Sequence, residues 1–365
     1  MLTAVGAGQP VVVVNDAGGP TRHAVLMVAA DRATPQNVAF VVRHTSGVVC
    51  VAMDSSRLEQ LELPPMAPGK ASDRDFTVSI DARDGTTTGI SAADRARTLR
   101  VLADPTTRAV DFVRPGHIFP LRVHGAGVFG RTGHAEAARD LAALAGLQPA
   151  GAFADLVDDR GEMAPSSVVE AFARSFELPI IRISEVLAQR AGVESVVKAV
   201  STIAVGCPQD RAVLRTFHSA VGGFEPLALV RGEVRGRRGV LVRIQRECVV
   251  HDVIGPAPCP CAADLRSAHA AVTGSEAGVL VYLRERGGEL RCADQLAELR
   301  GERSAELARY RSSLNLVAAS VLRDIGVGTV RLLTDDATAA EELSRYAVAV
   351  DGIVALPRSS VVSLA

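Results

Sequence analysis

Runs of β-branched residues alternate along this chain with capped, amphipathic stretches, and a chain patterned in this way folds as a sheet covered by helices. Val11–Val14 read as a strand, a Gly/Pro turn follows, and Val25–Ala30 return as a second strand. Ser91 is placed to cap a helix through AADRARTLRVLA, and a second helix starts at His134 and stops at Gly146. A helical stretch over Ser184–Val200 leads into a second region, where FEPLALVRGEV and RGVLVRIQ alternate as paired strands do. The strand GVLVYLRE, a helix-rich stretch from Cys292 to Asp324, the strand GTVRLLT, a helix over Ala337–Arg345 and a strand over Ala347–Val354 follow. The expected fold is α/β (α+β) in two domains, residues 1–195 and 196–365, with no solenoid repeat and no low-complexity tail.

Charge narrows the partners. Forty Lys and Arg face 41 Asp and Glu, for a net charge of −1, so the chain has no basic field with which to neutralise a duplex. With no Trp and 4% aromatics it also lacks a base-stacking surface, and nucleic acid is excluded as an expected partner. No run approaches about 18 apolar residues, and the first residues lack the basic and long apolar stretches of a signal peptide, so no membrane partner and a cytoplasmic location are expected. Six cysteines are too few for a disulfide framework in 365 residues. Three of them, Cys248, Cys259 and Cys261, crowd together, and three soft thiolates at close spacing suit Zn²⁺. His251, three residues after Cys248, is a candidate fourth ligand. With it the site is closed and structural; without it a water position stays open for hydrolysis.

In the first half, ATPQNVAFVVRHTSGVVCVAM, LELPPM, FTVSIDARDGTTTGISAADRARTLRVLADP, DFVRPGHIFPLR and RTGHAEAARDLAALAGLQPAG together resemble 3,4-dihydroxy-2-butanone-4-phosphate synthase over most of residues 10 to 190. The resemblance implies conversion of ribulose 5-phosphate to a four-carbon ketone phosphate plus formate, with magnesium and with carboxylates on an acidic loop after the first strand. That loop in the family reads like DDEDRENEGD, whereas here Asn15–Met27 read NDAGGPTRHAVLM, keeping Asp16 and no glutamate. Enolisation needs a carboxylate within reach of the abstracted proton, and a hard divalent ion needs oxygen ligands. The missing loop therefore argues against Mg²⁺ here. By resemblance His117 in RPGH matches the family's essential histidine, and Arg131 and His134 in RTGH match its phosphate-binding arginine and metal-binding histidine. Asp155 stands where the family has a later active-site glutamate, Ala135 where it has a threonine, and Arg74-Asp75 where it has Gly-Thr. The expected site is therefore His117, His134 and Asp155 as catalytic groups, with Arg131, Thr132, Gly133, Thr87, Thr88 and Ser91 holding a phosphorylated ligand. The plainer readings stand beside these: His117 as a hydrogen-bonded histidine at an element start, His134 as a helix cap, and TTTGIS as turn and cap chemistry.

In the second half, LVRIQREC, then CPC, VLVYLRE and VRLLTDD resemble GTP cyclohydrolase II over roughly residues 205 to 357. The C-x10-C-x-C spacing of Cys248, Cys259 and Cys261 is the one by which that family binds zinc. Its EGRGIGL segment corresponds to ERGGELR, its Asp-x-Arg pair to Arg311-Ser312-Ser313, and the lysine after LLTNNP has no counterpart after LLTDDA. Asp335-Asp336 put negative charge where a triphosphate would approach. Arg243, Glu247, Asp252 and Thr334 remain at matched positions, where zinc-loop hydrogen bonding and strand-end packing explain them equally well.

Three readings follow. The first is an enzyme repurposed toward another phosphorylated sugar or related small molecule, with both ordinary activities lost. The second is a non-catalytic, zinc-stabilised dimeric scaffold or ligand-binding protein. The third is an ordinary synthase in which Asp16 or Asp75 replaces the acidic loop. The first is preferred, and the resemblance also implies a homodimer.

Overall fold

The computed structural model describes residues 1–16, 23–67, 75–206, 212–221, 223–248, 261–285 and 305–357. The chain divides into two compact units, Met1–Leu187 and Ala188–Ala365. Helices and sheets are both present in each unit, as α/β patterning requires.

The first unit holds strands β1 (Val11–Val14), β2 (Ala24–Ala29), β3 (Cys50–Met53), β4 (Asp75–Phe76), β5 (Ile80–Ala82), β6 (Phe112–Arg122), β7 (Ala150–Asp155) and β8 (Ile180–Arg182). Their order is β4–β6–β3–β7–β2–β1–β8, with β5 pairing β6. β1 and β2 run antiparallel with Val14 opposite Ala24, and β2 continues into β7 with Val25 opposite Asp155.

Because strand side chains alternate, the sheet separates two cores. Leu26, Val28, Ala152 and Ala154 pack in one core with Val38 and Val41 of α2 (Pro35–His44) and with Ala96, Leu99 and Leu102 of α4 (Ala92–Ala103). The other face takes α5 (His134–Leu144): a Cβ on Gly151 would stand 2.4 Å from the Ala138 carbonyl oxygen, so only glycine lets the helix lie this close. Ser91 caps α4 as the sequence predicts, and α2 carries a cap that sequence reasoning did not name. The Ser91 hydroxyl accepts the Asp94 N–H at 3.0 Å, and Thr34 and Asn37 form a reciprocal capping box on α2. Gly146 sits beyond the end of α5 at φ +75°. The remaining helices of this unit are α1 (Leu2–Gly6), α3 (Ser55–Gln60) and α6 (Ser166–Ser175).

Two sequence expectations are corrected here. The helix expected over Ser184–Val200 ends at Val193 as α7 (Ile183–Val193), and Val197–Val205 form strand β9. Valine, threonine and isoleucine in VKAVSTIAV favour extended backbone over a further helical turn. FEPLALVR and VLVRIQR are both strands, β11 (Phe224–Arg231) and β12 (Val240–Arg246), but they do not pair with each other. β13 (Gly278–Glu285) lies between them, antiparallel to β11 and parallel to β12. Its Val279, Val281 and Leu283 are buried, and so apolar a strand takes the centre of the sheet.

The second unit's sheet runs β15–β14–β12–β13–β11–β10–β9, with β10 at Ala212–Ser219, β14 at Val330–Leu333 and β15 at Val350–Val354. Its helices are α8 (Cys261–Thr273), α9 (Ala305–Ile325) and α10 (Ala339–Ser344). Among the described residues no helix is long and apolar enough to cross a membrane.

Candidate functional site

In the first unit the polar residues singled out by the sequence fall into two groups. One lies where β1, β2 and β7 end beside the start of α5. Asn15, just past β1, donates its backbone N–H to the His23 carbonyl at 3.2 Å and its side-chain amide to the Thr132 carbonyl at 3.1 Å. His134, the first residue of α5, brings Nε2 within 3.0 Å of the same His23 carbonyl. A carbonyl only accepts, so that nitrogen carries the proton. Asp155 closes β7 opposite Val25. Arg131 is held by Glu136, whose carboxylate is buried and accepts from the guanidinium at 2.6 Å and from the His124 N–H at 3.0 Å. Gly133 is needed for that packing, since a Cβ there would stand 2.4 Å from Glu136 Oε2. The strand-end residues and α5 thus surround a helix start whose first-turn amides have no intrahelical partners, the usual setting for an anion.

The other group surrounds His117 on β6. Its backbone N–H donates to Asp81 Oδ1 at 2.9 Å, and its ring Nδ1 lies 2.8 Å from Asp81 Oδ2. Asp81 is almost fully buried while the imidazole is 39% exposed; the carboxylate thus holds Nδ1–H inward and presents Nε2 outward. Gly89, at φ +84°, closes over the pair: a Cβ there would stand 1.9 Å from Asp81 Oδ2. Thr87 and Ser91 are engaged locally. The Thr87 hydroxyl and amide both donate to Asp94, at 2.8 and 3.1 Å, and Gly89 N–H joins them at 3.2 Å. These bonds, the Thr87 hydroxyl above all, hold the Asp94 carboxyl below the usual carboxylate range. Thr88 is exposed.

Strand geometry separates the groups. Arg131 also reaches the Arg122 carbonyl at 3.5 Å, and five residues of extended β6 from His117 to Arg122 span about 16 Å. Sequence reasoning missed Asp81, Glu136 and His23. A charged residue inside the apolar strand VSIDA, and a glutamate in the first helical turn close behind an arginine, are the signals that point to the first two.

Magnesium does not fit the described residues of this unit. Asp16, the one carboxylate left from the acidic stretch, accepts the Ser184 N–H at 3.0 Å and its hydroxyl at 2.5 Å, and His134 Nε2 donates to a carbonyl. A hard divalent ion asks for several oxygen ligands, which these groups do not assemble.

In the second unit Cys248 is buried just past β12 and Cys261 opens α8, while Cys259 and His251 lie outside the described residues. Thiols from these two elements are the donor chemistry zinc takes. Beside them Arg243 donates to the Leu333 carbonyl at 3.1 Å and to Gln245 Oε1 at 2.8 Å, with Asp264 at 3.9 Å. Burial lowers the Arg243 pKa, against the opposing pull of Asp264, Asp335 and Cys261. Burial likewise raises that of Asp264. Asp335 accepts the Leu356 N–H at 3.1 Å, and Asp336 caps a turn through Thr338 at 2.8 Å.

Comparison with known proteins agrees with both halves. Residues 1–189 match the family 3,4-dihydroxy-2-butanone 4-phosphate synthase, and residues 200–355 match GTP cyclohydrolase II. The chain is 39% identical to the riboflavin biosynthesis protein RibBA of Salinispora arenicola (strain CNS-205), over 98% of this chain and 87% of that protein. It is 36% identical to the bifunctional riboflavin biosynthesis protein RIBA 1, chloroplastic, of Arabidopsis thaliana, over 96% and 67% respectively. Among solved structures, RibBX, a two domain 3,4-dihydroxy-2-butanone 4-phosphate synthase from A. baumannii, superposes with a TM-score of 0.74 at 28% identity, covering 97% of this chain and 98% of that one. The chain therefore belongs to the two-domain riboflavin biosynthesis family, with a 3,4-dihydroxy-2-butanone 4-phosphate synthase half followed by a GTP cyclohydrolase II half.

Proposed function

We propose that the first half binds a phosphorylated sugar or related small molecule at the start of α5, with Arg131, Thr132 and Gly133 receiving the phosphate and His117, His134 and Asp155 at the reacting end. In this reading neither the formate-releasing conversion of ribulose 5-phosphate nor GTP hydrolysis is retained. One observation carries it: Asp16, the only acidic side chain remaining from the family's loop, is bound by Ser184 and joins the strand end to α7. The second half supports the same reading, since the Arg243 guanidinium is already engaged by the Leu333 carbonyl and the Gln245 amide oxygen, with the Asp264 carboxylate 3.9 Å away.

The separation of about 16 Å along β6 favours a homodimer in which His117 of one chain serves the Arg131–His134 end of another. In the second half Cys248, Cys259 and Cys261 would hold zinc, and His251 as a fourth ligand would make the site structural, leaving no water for hydrolysis.

The ordinary synthase is the second reading, favoured by 39% identity to a RibBA protein over nearly the whole chain. Incubation with magnesium and a panel of pentose phosphates and purine nucleotides, following formate, phosphate and new masses together, separates them. A new mass from a phosphate other than ribulose 5-phosphate is expected. Formate from ribulose 5-phosphate establishes the ordinary synthase, and silence across the panel from a folded, zinc-loaded dimer establishes a non-catalytic scaffold.

A further inference from the structure

We infer that His23 is an acid–base residue of the first half, supplying by imidazole the proton transfer that Asp16, the one carboxylate of this stretch and bound by Ser184, does not supply. The inference rests on the reading that this half binds a phosphorylated sugar, and it comes from strand register. Val25 stands directly opposite Asp155. Side chains of a strand alternate, so His23, two residues before Val25, projects from the same face as Asp155, and such diagonal neighbours lie about 7–8 Å apart. The extended backbone persists to His23, because its carbonyl still accepts the Asn15 N–H at 3.2 Å.

That face is the one covered by α5. Gly151, four residues before Asp155 and therefore on the same side, is the glycine whose missing Cβ admits Ala138 of that helix. His134 begins α5 and donates Nε2–H to the His23 carbonyl at 3.0 Å. Imidazole, carboxylate and helix start therefore converge at one end of the sheet. The His23 ring is half-buried and makes no hydrogen bond to the described residues, whereas the rings of His117 and His134 are both engaged.

On a ketose phosphate the step balances simply. An unprotonated His23 nitrogen takes the hydrogen from the carbon beside the carbonyl. The C–H bond breaks, an N–H bond forms, and the electron pair becomes the C=C bond of an enediolate with its charge on the former carbonyl oxygen. The imidazolium returns a proton to that carbon. In D₂O the imidazolium exchanges with solvent first, so deuterium replaces the abstracted hydrogen.

The test incubates the full-length protein with ribulose 5-phosphate in D₂O and follows loss of the carbon-bound protons by ¹H NMR, with calorimetric titration of the same compound alongside. We expect exchange by the wild type, slowing by about 100-fold or more in His23→Ala, recovery on adding free imidazole, and unchanged binding of ribulose 5-phosphate by the variant. Exchange at the wild-type rate in His23→Ala, or no exchange by a wild type that binds ribulose 5-phosphate, overturns the assignment of His23. Absence of binding by the wild type, both to ribulose 5-phosphate and to the rest of the pentose phosphate panel, overturns instead the phosphorylated-sugar reading beneath it.

Discussion

Gly89 carries more of the site than its size suggests. It sits at φ +84°, and a Cβ there would stand 1.9 Å from Asp81 Oδ2, so substitution strains the backbone and displaces the carboxylate that orients His117. Gly89→Ala is expected to lower stability by about 2 kcal/mol or more, measured by denaturant unfolding. Asp81→Asn leaves the shape intact but can place an amide donor against Nδ1. The proton then moves to Nε2, a change of tautomer that ¹⁵N NMR of the imidazole reads directly; an unchanged ring signature would show that Asp81 does not orient it. His117 was legible in the sequence through its RPGH setting. Asp81 was not, because its partnership depends on a bulge in the β5–β6 pairing, which sets Ile80 against Ile118 and Asp81 against Val113. His23 was hidden for a related reason: its importance lies in cross-strand register, and a one-residue slip would have turned it to the other face.

Elements were legible where local chemistry decides them. Ser91, His134 and Gly146 bound their helices as read, because caps and positive-φ positions are local. The partners of β11 and β12 were not, since pairing across a sheet depends on which distant strand is apolar enough to take the centre. The segment from Thr87 to α4 tests how far one carboxylate organises an element. Its hydrogen bonds, that of the Thr87 hydroxyl first, depress the Asp94 pKa. A depressed carboxyl stabilises the fold above its unfolded pKa of about 3.9 and loses that contribution as pH falls through the folded value. Melting temperature should therefore fall on acidification below about pH 4, and Asp94→Asn should be less stable at neutral pH with a flatter acid limb. Equal acid sensitivity in the two proteins would exclude this role. Thr34→Ala, which removes the α2 capping box, should cost about 1 kcal/mol, read from the midpoint of urea unfolding.

At the scale of the molecule, two family halves persist, while the stretch Asn15–Met27 has no glutamate and its Asp16 is bound by Ser184. If the reacting site is shared between chains, mixing His117→Ala protein with His134→Ala protein and allowing subunits to exchange should restore about a quarter of the wild-type sites. Deuterium exchange into ribulose 5-phosphate measures this, and no recovery after verified exchange would confine each site to one chain. If Cys248, Cys259, Cys261 and His251 hold zinc as proposed, the closed site contributes to folding: chelation should lower the melting temperature, and cobalt substitution should show no exchangeable water unless His251 is replaced. The central claim is that a phosphate-binding fold has been kept without its magnesium-dependent, formate-releasing chemistry. The most direct measurement is formate release from ribulose 5-phosphate by the purified, folded protein with saturating magnesium. The account predicts no formate above the protein-free control; sustained stoichiometric formate alongside a four-carbon ketone phosphate would contradict it.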